Sequence, residues 1–185
     1  ANIDPDLQLE VLGQMRRPQL VLSDTMNYWI ARKPERVLEV LRRVDMALLN
    51  EEEARALAGE TLLVRAADRL LDQGARAVII KKGEHGALYR DREARVLTPA
   101  FPVEALRDPT GAGDSFAGGF LGWLARSGGT GGDALCQALA CGTTMASLAI
   151  EDFSPRRLVE TGPDEIDERV RLLHRMVSFD LKPVF

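Results

Sequence analysis

Asp108-Pro109-Thr110-Gly111-Ala112-Gly113-Asp114-Ser115-Phe116-Ala117-Gly118-Gly119-Phe120 is the densest chemical signal in the chain. Pro109 fixes the approach, Gly111 and Gly113 let the backbone come close to a ligand, and the apolar residues that follow continue as a helix. Unpaired N–H groups at a helix start, together with the helix dipole, make an anion site. A carboxylate at Asp114 would repel a phosphate that is merely held there. It fits if its task is to take a proton from an attacking hydroxyl. In phosphoryl transfer, amides hold the transferring group and a carboxylate activates the nucleophile. The plainer alternative is that Asp114 only favours the first turn of a helix, where acids gain ~0.3–1 kcal/mol.

Outward from this segment, hydrophobic periodicity predicts alternating elements. Leu7 to Met15 has helical spacing, and Gln19 to Ser23 reads as a short buried strand. Pro34 suits the first turn of a helix whose apolar side is Val37, Leu38, Leu41 and Val44. Asp45 to Leu49 is a second buried strand, closed by Asn50; Glu51 to Gly59 and Val64 to Gln73 are helices, the latter ended by Gly74. Ala77 to Ile80 is a third, continuously apolar strand, as expected of a parallel sheet covered on both faces. Gly83 and Gly86 bracket a turn, after which Ala87 to Tyr89 and Arg95 to Leu97 read as a hairpin. A Gly-rich entry at Thr110 opens a helix to about Arg126, Gly128 to Gly132 is a loop, and helices run from Asp133 to Ile150 and from Pro163 to Val177. The pattern is α/β with a largely parallel sheet, with no internal repeat and no linker between domains.

Composition removes several function classes. The chain has 185 residues, 45% hydrophobic and 28% charged, an ordinary globular make-up. Lys+Arg 24 against Asp+Glu 28 gives a net charge of −4 and a pI near 5.3. A general nucleic-acid binder needs a basic face, and aromatics at 5% leave little for base stacking. No apolar run is long enough to span a membrane. The N-terminal Ala-Asn-Ile-Asp-Pro-Asp lacks the character of a secretory signal, so a cytoplasmic location is expected. Cys136 and Cys141 match neither a CxxC nor a metal-ligand spacing and read as buried, reduced thiols. No Gly-x-x-x-x-Gly-Lys-Ser/Thr occurs, which excludes a P-loop NTPase.

The run from Asp108 to Phe120 closely resembles the second signature of the ribokinase (PfkB) family of carbohydrate and nucleoside kinases. The rest of the chain agrees. Asn50-Glu51-Glu52-Glu53 after an inner strand resembles the family's Asn-x-x-Glu motif, and Lys81-Lys82-Gly83-Glu84-His85-Gly86 resembles its strand-turn beside the nucleotide phosphates.

The resemblance implies a ribokinase-like (Rossmann-like), mostly parallel sheet with flanking helices. Residues 1–185 would be the C-terminal part of a single kinase domain, with the N-terminal part and β lid outside it. It implies ATP-dependent phosphoryl transfer to a sugar or nucleoside hydroxyl, with Asp114 as base and Gly111, Ala112 and Gly113 as anion hole. On the family pattern, Asn50 and Glu53 would help place Mg²⁺ and the ATP phosphates through water; alone they read as a helix cap and an acidic first turn. Lys81 or Lys82 would neutralise phosphate beside Gly83 and Gly86, while His85 reads as a surface residue. Asp108 and Thr110 match positions associated with a monovalent cation, K⁺ being the candidate. Ala138 to Ile150 falls where the family packs adenine, and Asp24 to Trp29 lies just beyond a strand end, where α/β proteins bind ligands. The alternative is a catalytically incomplete nucleotide-binding or assembly module. Self-association, with a homodimer as its simplest form, is also expected.

Overall fold

The structure is a computed structural model and describes residues 2–129, 131–178 and 180. These fall into two compact units, Ala1–Leu97 and Thr98–Phe185.

In the first unit, three segments with polar last residues, two of them apolar runs, become neighbouring parallel strands: β1 (Leu22–Asp24), β2 (Met46–Asn50) and β3 (Ala77–Lys81). Register pairs Ala47 with Val78 and Leu49 with Ile80. Side chains alternate across a strand, so these four share one face. They join the apolar sides of helices α2 (Asn27–Arg32), α3 (Pro34–Arg43), α4 (Glu51–Ala58) and α5 (Leu63–Asp72) in one core. Helix α1 (Pro5–Gln14) is started by the Asp4 carboxylate, which accepts the Asp6 N–H at 2.9 Å, with Pro5 in the first turn. Its Leu9 packs on Val40 and Val44 of the α3 side.

Strand β4 (Ala87–Asp91) returns antiparallel to β3, and β5 (Arg95–Thr98) completes the order β1-β2-β3-β4-β5. Only residues 92–94 join β4 to β5, too few for a parallel crossover. The turn is organised by Asp91, whose carboxylate accepts the Glu93 and Ala94 N–H groups at 2.8 and 2.6 Å and the Tyr89 hydroxyl at 2.6 Å. The sheet is therefore mixed, with its parallel part carrying the strand ends that matter below.

The second unit is built on α6 (Ala112–Ser127), α7 (Gly132–Ala149), α8 (Arg156–Glu160) and α9 (Pro163–Val177). Helices α6 and α7 approach through glycines: a Cβ on Gly119 would sit 2.8 Å from the Cys141 carbonyl oxygen, and one on Gly142 2.9 Å from that of Phe116. Arg169 of α9 holds Glu151 at 2.7 Å and lies over the Phe101 ring at 4.8 Å, while Arg157 pairs with Glu151 and Glu165. Among the described residues, no helix is long and apolar enough to cross a membrane.

Several expectations are corrected. The first strand runs over Leu22–Asp24 rather than Gln19 to Ser23; Gln19 is exposed, and the chain reaches the sheet only where the Asp45 carboxylate accepts the Val21 N–H at 2.8 Å. Helices α2 and α8 were not expected, being too short to show a period. Cys136 is exposed while Cys141 is buried. Five residues turn an α-helix by ~140° beyond a full circle, so the two thiols cannot share a face. Burial pushes the Cys141 thiol up to about 11. Of the expected loop from Gly128 to Gly132, Thr130 lies outside the described residues, Gly128 caps α6 and Gly132 already begins α7.

Candidate active site

In the first unit the three parallel strands end on Asp24, Asn50 and Lys81, with Asn50 directly paired to Lys81 in register. Ligands of open α/β sheets bind beyond such carboxyl ends. Asn50 turns the chain from β2 into α4 as a capping box: its Oδ1 accepts the Glu53 N–H at 2.9 Å, and Glu53 Oε2 accepts the Asn50 N–H at 2.8 Å. The Asn-x-x-Glu motif therefore has a definite structural job, and removing such a cap costs ~0.5–2 kcal/mol. One Glu53 oxygen is left for other work.

Glu53 is the one charged residue classed as buried among the described residues, at 5% exposure. Burial raises its pKa from the ordinary 4.5; the Asp24 charge pushes the same way, while the Asn50 N–H and the Lys81 charge oppose. The folded chain thus holds this proton to a higher pH than the unfolded chain does. Its contribution to stability falls as pH rises from about 4.5 through the folded value. Wild type is expected to lose stability across that window relative to Glu53→Gln, which still offers an acceptor to Asn50. Urea unfolding at about pH 4 and about pH 7 checks this; parallel pH dependence in the two proteins would contradict it.

Lys81 Nζ lies 3.2 Å from Asp24 Oδ2, and Asp24 Oδ1 accepts the Thr25 N–H at 2.9 Å. After Lys81, Gly83 opens a single 3-10 turn (Gly83–His85), and the Lys82 N–H donates to the Gly86 carbonyl at 2.7 Å. Lys82 is half-buried and His85 exposed.

In the second unit, the 108–114 segment is fastened before it enters α6. The Arg107 and Asp108 N–H groups donate to the Ile150 carbonyl at 2.8 and 3.4 Å. Asp108 Oδ1 accepts the Thr110 N–H at 2.9 Å, and that bond, aided by the Thr110 hydroxyl, holds its carboxyl below the usual range. Gly111 then takes φ +81°, a left-handed conformation that L side chains resist. The Ala112 N–H turns back to the Pro109 carbonyl at 3.2 Å, and Ser115 makes the first bond of the helix, to Gly111, at 2.8 Å. Within this unit, among the described residues, the Gly111, Gly113 and Asp114 N–H groups are left without an acceptor. Asp114 is exposed on the same first turn. Ala112, named with Gly111 and Gly113 for the anion hole, donates its N–H within the loop.

Asn50, Glu53, Lys81, Gly83 and Gly86 thus gather at the strand ends of the first unit, and Asp108, Thr110 and residues 111–114 at the α6 start of the second. Sequence reasoning set Asp24 at a ligand-binding strand end but gave it no specific role. The available signal was its place as the polar residue closing an apolar strand.

Residues 8–161 match the pfkB family of carbohydrate kinases. The chain belongs to that family. It is 36% identical over 129 residues to a cytidine kinase of Thermococcus kodakarensis, covering 67% of this chain and 46% of that protein. It is 40% identical over 91 residues to a deoxyribokinase of Salmonella typhimurium, covering 46% of this chain and 29% of that one. Among solved structures, the aminoimidazole riboside kinase of Salmonella enterica, complexed with aminoimidazole riboside and an ATP analogue, superposes with a TM-score of 0.75 at 26% identity over 88% of this chain and 56% of that one. The Methanocaldococcus jannaschii nucleoside kinase, an archaeal member of the ribokinase family, gives 0.73 at 25% identity over 91% and 54%. The chain spans about half the length of these relatives or less. The fold is the ribokinase fold, with a mixed sheet and flanking helices. Of the three family-like segments named from the sequence, two sit on helix starts, at α4 and α6, and the third leaves the end of β3.

Proposed function

We propose that the chain is the C-terminal portion of an ATP-dependent kinase domain that phosphorylates a hydroxyl of a sugar or nucleoside. The observation that carries this reading is the start of α6, where the Gly111 and Gly113 N–H groups, without an acceptor among the described residues, adjoin the exposed carboxylate of Asp114. Family membership supports it, as do the names of the relatives quoted above, each a kinase of a sugar, riboside or nucleoside.

In this reading the 111–113 backbone, chiefly through Gly111 and Gly113, faces the transferring phosphoryl group, where negative charge builds up. Asp114 accepts the proton of the acceptor hydroxyl. The hydroxyl oxygen forms a bond to the γ-phosphorus as the bond from that phosphorus to the β–γ bridging oxygen breaks, and ADP leaves with that electron pair. Lys81, with the turn residues Gly83 and Gly86, neutralises phosphate charge at the strand ends. Bound Mg²⁺ supplies charge neutralisation of the phosphates. Mg²⁺ usually takes one or two carboxylates plus waters and phosphates, and Glu53 has an oxygen the cap does not use, so Glu53 with Asn50 fits it through water. Asp108 keeps one carboxylate oxygen beyond the Thr110 contact, which with Thr110 suits a monovalent cation such as K⁺. The setting is the cytoplasm, where ATP is supplied. Self-association belongs to the same reading, because Leu7 and Val11 of α1, with Ile3 before it and Met15 after it, leave an exposed apolar row.

The test is an ATP-consumption screen over sugars and nucleosides with the full-length enzyme of which this chain is the C-terminal portion. ADP release that depends on one acceptor class is the expected result. ATP bound without turnover on any acceptor would favour the incomplete module, and no ATP binding at all would end the kinase reading.

A further inference from the structure

Asp24 and Lys81 close β1 and β3, with β2 between them, and both stand on the sheet face that carries Leu48 and Ile79. Two strand spacings across the sheet and two residues along it, ~11–12 Å in all, separate their backbones. Lys81 nevertheless lays its side chain across the end of β2 to bring Nζ 3.2 Å from Asp24 Oδ2. Asp24 is itself aimed, because its other oxygen accepts the Thr25 N–H at 2.9 Å. The side chains are only 19% and 14% exposed, against 33–48% for Lys33, Asp4 and Asp6 in the surface cluster joining α1 and α3. A lysine at a sheet end ordinarily runs its stem outward and keeps the ammonium in water. Here it is turned back over the strand ends. The carboxylate that turns it belongs to a residue with no other assigned role.

We propose that Asp24 is a positioning residue that stations Lys81 over the carboxyl ends of β1–β3, and that a polyphosphate binds by displacing the Asp24 carboxylate from the Lys81 ammonium. The proposal rests on the reading of Lys81 as a phosphate-neutralising group and adds how that group is held before the ligand arrives. An ammonium exchanges one anionic partner for another, so Lys81 stays paired throughout. The cost falls on Asp24, which loses its ammonium partner. Asp24 therefore competes with the ligand, and apparent affinity carries a tax that removal of the carboxylate lifts.

The test uses the whole chain with inorganic tripolyphosphate as the probe. In the ligand-free protein, brief acetylation followed by peptide mass spectrometry reads the accessibility of each lysine, with Lys33 as internal reference. Lys81 labelling is expected to rise at least ~3-fold in Asp24→Asn, and Asp24→Glu to restore protection. By calorimetry, Asp24→Asn should tighten tripolyphosphate binding ~3–10-fold, Lys81→Met should weaken it, and Asp24→Asn should have no effect in the Lys81→Met background. A purely structural ion pair would instead lower thermal stability and leave that binding cycle additive. Unchanged Lys81 labelling in Asp24→Asn, or the same gain in affinity with Lys81 absent, overturns the proposal while ATP binding by wild type keeps the kinase reading standing. A wild type that binds neither tripolyphosphate nor ATP overturns both.

Discussion

In the complete enzyme, Asp114→Asn is expected to lower kcat by ~10² or more while ATP affinity stays within a few-fold. Asparagine matches aspartate in size and keeps a polar side chain at the third residue of α6, so the helix start survives. What it cannot do is accept a proton from the acceptor hydroxyl. Asp114 is exposed, and no hydrogen bond holds its side chain among the described residues, so the fold should not register the change. Steady-state kinetics on the preferred acceptor, beside thermal melts, separates chemistry from folding. Turnover near that of wild type would remove Asp114 from the role of base.

The second large effect concerns stability. A methyl at Gly142 would meet the Phe116 carbonyl oxygen at 2.9 Å and the Phe116 ring at 3.1 and 3.2 Å. The oxygen belongs to the backbone of α6 and cannot rotate away, so α6 and α7 must separate. Such overpacking costs ~1–3 kcal/mol. Gly119→Ala meets the Cys141 carbonyl oxygen at 2.8 Å and should behave alike, although its nearest neighbour, the Met145 side chain at 2.6 Å, can move. The control lies on the same helix: Gly118 and Gly122 have nothing within 4 Å, and alanine there should add up to ~1 kcal/mol through helix propensity. Urea midpoints for Gly142→Ala and Gly118→Ala are thus expected on opposite sides of wild type. Equal midpoints would mean that the helices pack by some other contact.

What could be read in advance follows a physical pattern. Strands β2 and β3 were legible because each is a continuous apolar run bounded by polar residues, the mark of a strand buried on both faces. The α6 start was legible because Gly111, Gly113 and Asp114 make chemical sense only in combination. Helices α2 and α8 were not, since a helix of about one turn and a half shows no period. The exposure of Cys136 depends on the rotation of α7 within its packing, which an Ala-rich run does not specify. The Asp24–Lys81 pair was beyond reach, because its members lie 57 residues apart and meet only once the strand order is known. The two readings of Asn50 and Glu53, cap or ligand, turn out compatible: the cap uses one Glu53 oxygen and leaves the other.

The Ile150 carbonyl, which fastens Arg107 and Asp108, sets a rule about chain length. The approach to α6 is tied at one end to the close of α7 and at the other to the left-handed Gly111, so its span is metrically fixed. One residue inserted between Asp108 and Gly111 would break both ties. Residues added between α6 and α7 would disturb neither. Diverging sequences of this kind are therefore free to lengthen in one place and forbidden to in the other, and the forbidden place is the one beside the proposed proton acceptor.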